Sequence, residues 1–320
     1  MMDLLGLHHV TAITSDAQKC YDFYHNVLGL KLVKKTVNQD AVDTYHLFFA
    51  DNEGSPGTDV TFFDFKDAPK HVGGANDIFA FTLRVPTDYS LYYFKQRFDE
   101  MQIKYGTVIK LNGKHALPFY DFDDRLIYLI SDELNTGIPL GKPNPDSPVE
   151  SVHQILGLGP VLLAVENTLV TASVLTQILG MERIGEYEYK DSLDAVHVFT
   201  MGDGGNGGEV HLLKRTGHSQ QGYGGVHHVA FRLSDELKLQ AALNKLNTGN
   251  IPNSGLVDRF YFKSLYFRDI SGILFELATD GPGFSSDEPI DALGECLSLP
   301  AFLEARRNEI ESALKPIQTK

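Results

Sequence analysis

The chain has 320 residues, 42% of them hydrophobic and 22% charged, enough apolar material for one large domain or two ordinary ones. Lys and Arg number 28 against 42 Asp and Glu, a net charge of −14 that argues against a phosphate-binding surface, so no nucleic-acid partner is expected. Two cysteines, Cys20 and Cys296, supply neither a disulfide framework nor CxxC chemistry. The opening MMDLLGLHHV has no basic segment and no long apolar run, so a cytoplasmic protein without membrane contact is expected.

Leu7 to Ile13 alternates as a strand does. Ser15-Asp16 then offers an N-cap, and Cys20, Phe23, Tyr24, Val27 and Leu28 recur at helical spacing, with Gly29 at the position where positive φ is tolerated. Three β-rich runs follow, at 30–37, 45–50 and 59–65, with NEGSPG (52–57) as the loop before the last. The order is βαβββ. TDYSLYYFKQRF (87–98) has the spacing of a packed helix. GIPLGKPNPDSP (137–148) is rich in Pro and Gly and reads as a linker. Near the end, Phe302, Ala305, Ile310 and Leu314 mark a tail helix over about 301–314.

The chain also repeats itself. LGLHHVTAITSDAQKCYDFYHNVLGLKLVK (5–34) aligns with LGLGPVLLAVENTLVTASVLTQILGMERIG (156–185), Leu28-Gly29 falling on Leu179-Gly180. At a similar offset NDIFAFTLRVP (76–86) matches GVHHVAFRLSD (225–235), and DRLIYLISDE (124–133) matches SGILFELATD (271–280). Two halves, each of two similar units, follow from this.

Three residues carry the chemistry. His9 and His228 lie in near-identical strand contexts, LHHVT and VHHVA, while Glu276 sits mid-strand in ILFELA. A carboxylate there is costly to bury without a partner or a metal. Two imidazoles and one carboxylate from separate strands are the ingredients of the site that binds non-haem Fe(II) with coordination positions left open. Under the repeat, His9 falls on Pro160, His228 on Ala80 and Glu276 on Tyr128. One active site per chain is therefore expected. The first and fourth units must meet to build it, and the second and third should form a matching empty cavity.

The segments LHHVTAIT (7–14), YHLFFADNEGSPGT (45–58), GGVHHVAF (224–231), DRFYFKSLYFRDISGILFE (258–276) and GFSSDE with LGECLSLPAFLE (283–304) resemble the vicinal oxygen chelate superfamily of glyoxalases, bleomycin resistance proteins and extradiol dioxygenases. The resemblance covers nearly the whole chain and is to the ring-cleaving hydroquinone dioxygenases within it. It implies an α+β fold of four βαβββ modules forming two pseudo-symmetric domains with curved, barrel-like mixed sheets, plus a C-terminal helix. Residues 1–136 and 151–290 would be the domains, 137–150 the linker and 291–320 the tail. The resemblance makes His9, His228 and Glu276 ligands of Fe(II), with Mn(II) as the alternative. It gives Arg259 and Tyr266 catalytic parts, for which charge stabilisation near a bound phenolate is the physical reason. Thr11, His8 and His227 become supporting residues, and alternation puts the two histidines on the opposite strand face. Partners would be a small aromatic, O2 and further copies of the chain.

Two other readings use the same fold. A glyoxalase-type isomerase or lyase would take a fourth ligand from the last strand of the first unit, where Asp59 and Asp64 near the strand ends are the only acidic residues. A metal-free aromatic- or antibiotic-binding resistance protein would need no ligand set at all. The glycine-rich GDGGNGG (202–208) lacks GxxxxGK[ST] and GxSxG occurs nowhere, which leaves phosphate-loop and serine-hydrolase chemistry without a motif. His46, His71, His115, His153, His197, His211 and His218 show no pairing and read as structural or surface residues.

Overall fold

A computed structural model describes residues 2–190 and 192–319. In the first unit β1 (Leu7–Ile13) leads to Asp16, whose side chain caps helix α1 (Ala17–Tyr21) by accepting from the Lys19 N–H at 3.0 Å. The expected single α-helix widens instead into a π turn over Asp22–Val27, which Leu28 closes by bonding back to Phe23. The wider turn lets Phe23, Tyr24 and Leu28 all enter the core, and Gly29 ends it at φ 79°. The same π turn recurs at Val174–Ile178 in the third unit. The unit is completed by β2 (Lys31–Asn38), β3 (Ala41–Ala50) and β4 (Asp59–Phe63).

The second unit comprises β5 (Asp77–Val85), α2 (Asp88–Glu100), β6 (Ile109–Leu111), β7 (Lys114–Tyr120) and β8 (Leu126–Ser131). The third comprises β9 (Leu158–Val165), α3 (Thr168–Ser173), β10 (Glu182–Tyr187), β11 (Val196–Thr200) and β12 (Glu209–Lys214). The fourth comprises β13 (Val226–Leu233), α4 (Glu236–Thr248), β14 (Asn253–Asp258), β15 (Phe262–Arg268) and β16 (Leu274–Pro282).

These strands form two curled eight-stranded mixed sheets, β14-β15-β16-β13-β1-β4-β3-β2 and β10-β11-β12-β9-β5-β8-β7-β6. Each sheet joins one unit from each half of the chain, through β1 on β13 and β5 on β9, both antiparallel. The first and fourth units therefore share a sheet, as a site built from His9, His228 and Glu276 requires. The repeat is visible in the registers: Ala80 pairs with Leu162 as His228 pairs with Thr11, and Thr82 pairs with Tyr128 as Ala230 pairs with Glu276. One apolar cluster containing Phe62, Phe81, Phe94 and Phe231 runs between the sheets.

The cavity expected near Ala80, Tyr128 and Pro160 is filled. Ala80, Tyr128, Ile130, Leu162 and Leu213 pack in one buried cluster with Tyr189, whose hydroxyl meets that of Tyr128 at 2.5 Å. Where the first sheet holds a histidine and a carboxylate, the second closes its core with an alanine and a bulky ring.

Buried Arg84 ties down the segment after β8, gripping Asp132 at 3.0 and 2.5 Å and donating to the Ile138 and Pro139 carbonyls at 2.7 and 3.2 Å. Buried Lys34 fastens the tail segment through Asp287 at 2.6 Å, Glu288 and the Phe284 carbonyl at 3.2 Å. The tail helix is shorter than expected, α5 (Arg307–Ala313) after a 3-10 turn at Glu304–Arg306. Ile310 and Leu314 are buried, but Phe302 precedes the helix and stays 64% exposed. Among the described residues no helix is long and apolar enough to cross a membrane.

Candidate metal centre

Strand β1 lies against β13, and β13 lies parallel to β16. Side chains with the same phase on these three neighbours converge on one face of the curled sheet. His9 Nε2 stands 3.1 Å from Glu276 Oε2, His228 Nε2 stands 2.8 Å from the same oxygen, and the two nitrogens are 3.4 Å apart. All three side chains are buried. Glu276 Oε1 accepts from the Ser264 hydroxyl at 2.5 Å, whereas Oε2 accepts no hydrogen bond although it is buried. Burial pushes the Glu276 carboxyl up, but the two imidazoles outweigh it and hold the pKa well below the usual carboxylate range. An unsatisfied carboxylate oxygen facing two imidazole nitrogens is a cation's donor set. Among the described residues this is the one group of three His, Cys, Asp or Glu side chains close enough to share an ion.

His8 and His227 differ from their expected placement in a way the registers explain. Leu7 pairs with Phe231 and His9 with Ala230, so His8 is an unpaired extra residue; Thr11 pairs with His228 and Ala12 with Val226, so His227 is another. Each occupies a β-bulge, which re-aims its side chain. His8 Nδ1 lies 2.9 Å from His9 Nδ1, and His227 Nδ1 lies 2.8 Å from His228 Nδ1. His8 Nε2 also lies 3.1 Å from the Thr279 carbonyl, which only accepts. Burial drives the His8 pKa down to about 3, so the ring is neutral with its proton on Nε2. Its Nδ1 then accepts from His9 Nδ1–H, a bond that aims the His9 Nε2 at Glu276. Burial likewise takes His227 down to about 3. His227 also lines the cavity, where alternation alone had put it behind the strand.

A cavity of about 360 Å³ opens beside His9 and His228. Arg259 and Tyr266 are both on its wall, the Arg259 Nε donating to the Tyr266 hydroxyl at 3.2 Å, and Arg259 also pairs with Asp40 at 3.0 Å. Tyr266 packs edge-on against His228 with ring centres 5.8 Å apart, and burial raises its pKa, so its hydroxyl keeps its proton. Thr11 reaches the cavity too, its hydroxyl 2.8 Å from that of Thr61. Thr61 sits beside Thr11 on β4, as Glu276 sits beside Ala230 on β16, so a threonine occupies the place a fourth ligand would take. Asp59 and Asp64 do not join the group of ligand atoms.

The cavity contains one histidine that the sequence left aside. His46 on β3 is wedged between Phe48 and Phe63, ring centres 3.9 and 4.3 Å away, with Nε2 3.0 Å from the Thr61 hydroxyl. Burial takes its pKa well below the usual imidazole range. The available signal was that β3 and β4 are adjacent, so that the alternating face of His46 and Phe48 joins that of Thr61 and Phe63.

The profile of the Glyoxalase/Bleomycin resistance protein/Dioxygenase superfamily matches residues 6–123 and 157–277. The chain belongs to this superfamily. Across 320 residues it is 46% identical to the candidate ring-cleaving dioxygenase MhqA of Bacillus subtilis (strain 168), covering 99% of this chain and 100% of that one. It is 29% identical over 318 residues to the chlorohydroquinone/hydroquinone 1,2-dioxygenase of Sphingobium indicum, covering 95% and 94%. The crystal structure of a candidate dioxygenase from Bacillus subtilis subsp. subtilis str. 168 superposes with a TM-score of 0.90 at 32% identity, over 100% of this chain and 99% of that chain. The two superfamily segments coincide with the two halves that the internal repeat delineates, and His9, His228 and Glu276 fall inside them.

Proposed function

We propose that this superfamily member is a ring-cleaving dioxygenase that opens a hydroquinone-type aromatic at a mononuclear non-haem metal held by His9, His228 and Glu276. The observation carrying this reading is the unsatisfied Glu276 Oε2 facing both imidazole Nε2 atoms, with His9 and His228 themselves lining an aromatic-walled cavity. The names of the full-length relatives support the substrate class. Two imidazole nitrogens and one carboxylate suit Fe(II), and Mn(II) as well. The metal, when bound, supplies a path for electrons between a phenolate and O2.

The chain's own residues do the rest. His8 and His227 fix the rings of His9 and His228. Phe48, Phe63 and Phe65 line the cavity and exclude water from a flat ring. Arg259, whose pKa is raised by Tyr266 and Asp40 against the effect of burial, stays cationic and opposes negative charge that builds on the ring oxygens. Tyr266 holds its proton and donates from the same wall.

A glyoxalase-type reaction is less well supported, because Thr61 stands where the fourth ligand would enter. The test is removal of metal by chelation, then reconstitution under argon with Fe(II), Mn(II) or Zn(II) and oxygen uptake with hydroquinone, methylhydroquinone and catechol. Uptake restored by Fe(II) or Mn(II) but not by Zn(II) is expected. Equal recovery with Zn(II) would overturn the redox assignment.

A further inference from the structure

The wall of the cavity formed by β2 and β3 carries two polar groups that the proposed chemistry leaves unused. His46 on β3 and Thr36 on β2 are direct register partners, and both line the cavity. The Thr36 hydroxyl is buried and has no hydrogen-bond partner. His46 spends Nε2 on Thr61, and no hydrogen bond engages its Nδ1 among the described residues. Phe48 and Phe63 clamp the imidazole, so its orientation is fixed before anything binds. Two neighbouring side chains at that end are partly engaged: the Asn38 side-chain oxygen accepts from the Asp40 and Ala41 amides at 2.8 and 3.2 Å, and the Gln39 side-chain amide donates to the Arg259 carbonyl at 3.0 Å.

Position matters as much as chemistry. β3 is separated from β1 by β4, two strand spacings or about 10 Å between backbones. A ring bound between these strands with one oxygen toward His9 and His228 would turn its opposite carbon toward β3. A catechol carries its two hydroxyls side by side, so both point to the metal and none reaches this wall. A hydroquinone carries its second hydroxyl on the opposite carbon.

We propose that His46, assisted by Thr36, receives the second hydroxyl of a para-dihydroxylated ring and thereby selects hydroquinones over catechols. This rests on the hydroquinone reading above. A hydroxyl donates one hydrogen bond and accepts another, and an imidazole beside a threonine hydroxyl can meet both. A site built to bond a substrate hydroxyl leaves its own groups unpaired when that hydroxyl is missing, which is how such sites discriminate.

The test compares ligands that differ only at the far carbon. Protein loaded with Fe(II) under argon is titrated calorimetrically with hydroquinone and with phenol, as wild type, His46→Phe, His46→Gln and Thr36→Val. Wild type is expected to favour hydroquinone over phenol by about threefold to tenfold per hydrogen bond. His46→Phe should bring the hydroquinone-to-phenol ratio close to one with phenol binding little changed; His46→Gln should restore part of it, and Thr36→Val should lose part. Metal content and the unfolding midpoint report whether each variant is intact. A ratio equal in His46→Phe and wild type, an equal loss for both ligands, or a wild type with no preference would overturn the proposal. Oxygen uptake is read separately: its absence in wild type with every substrate would refute the dioxygenase reading, while the binding ratio still decides the part of His46.

Discussion

Replacing His8 with phenylalanine tests how the ligand geometry is held. His8 touches no substrate space; it stands behind His9, bonded at 2.9 Å to its Nδ1 and at 3.1 Å to the Thr279 carbonyl. A phenylalanine would keep the flat ring beside Phe262, whose centre is 5.1 Å away, and delete both bonds. His9 would then lose the acceptor that keeps its proton on Nδ1, and its Nε2 would spend part of its time protonated or turned away. Removing an outer partner of a ligating histidine typically weakens metal binding about 10- to 100-fold. That corresponds to about 1.4–2.7 kcal/mol. The assay is chelator competition for Fe(II) under argon, with the unfolding midpoint of the metal-free protein as control. His227→Phe should give a loss of the same order through His228. Unchanged affinity in His8→Phe, with the fold intact, would refute the argument that the bulged histidines set the tautomer.

Three further outcomes follow from the same geometry. Arg259→Met should lower kcat/KM for hydroquinone about 100-fold while metal content stays at the wild-type level, as loss of a charge-stabilising donor does elsewhere; unaltered turnover would remove Arg259 from the reaction. A chain ending at Pro148 keeps β1 but loses β13 and β16, so it should show neither cooperative unfolding in a denaturant titration nor Fe(II) retention; a metal-binding fragment would contradict the shared sheet. Asp64, raised by burial to about 6, favours the neutral carboxyl in the folded state, so its stabilising contribution is full below the unfolded value of about 3.9 and is lost as pH rises through 6. Asp64→Asn keeps an oxygen for the Tyr45 amide and should raise stability at pH 8 by about 1 kcal/mol after allowance for solvent screening, with little gain near pH 4; an equal gain at both would show that charge is not the cause.

The grouping of His9, His228 and Glu276 was legible because three separate patterns agreed on it. Strand alternation fixed the face of each residue, the duplicated His-His context marked β1 and β13 as partners, and the repeat distinguished the retained site from the lost one. What escaped was whatever depended on shape rather than on phase. A π turn costs no apolar residue its spacing signal, so Asp22–Val27 reads as ordinary helix. A bulge is invisible to alternation, so His8 and His227 read as facing away although their rings bond to His9 and His228. Tyr189 lies outside any strand, and nothing in its neighbourhood announces that it fills the second sheet's vacant place against Tyr128. His46 needed knowledge of which strands are adjacent, because its partners Thr61 and Phe63 come from β4 and not from its own segment.

The central claim is that the His9–His228–Glu276 centre inserts O2 into an aromatic ring. Single turnover of the Fe(II)-loaded protein with hydroquinone under isotopically heavy O2, followed by mass spectrometry of the product, tests it most directly. The account predicts a ring-opened product carrying both heavy oxygen atoms, formed with consumption of one O2 per hydroquinone and absent in Glu276→Ala. An intact ring, a product labelled only from water, or undiminished conversion by Glu276→Ala would contradict it.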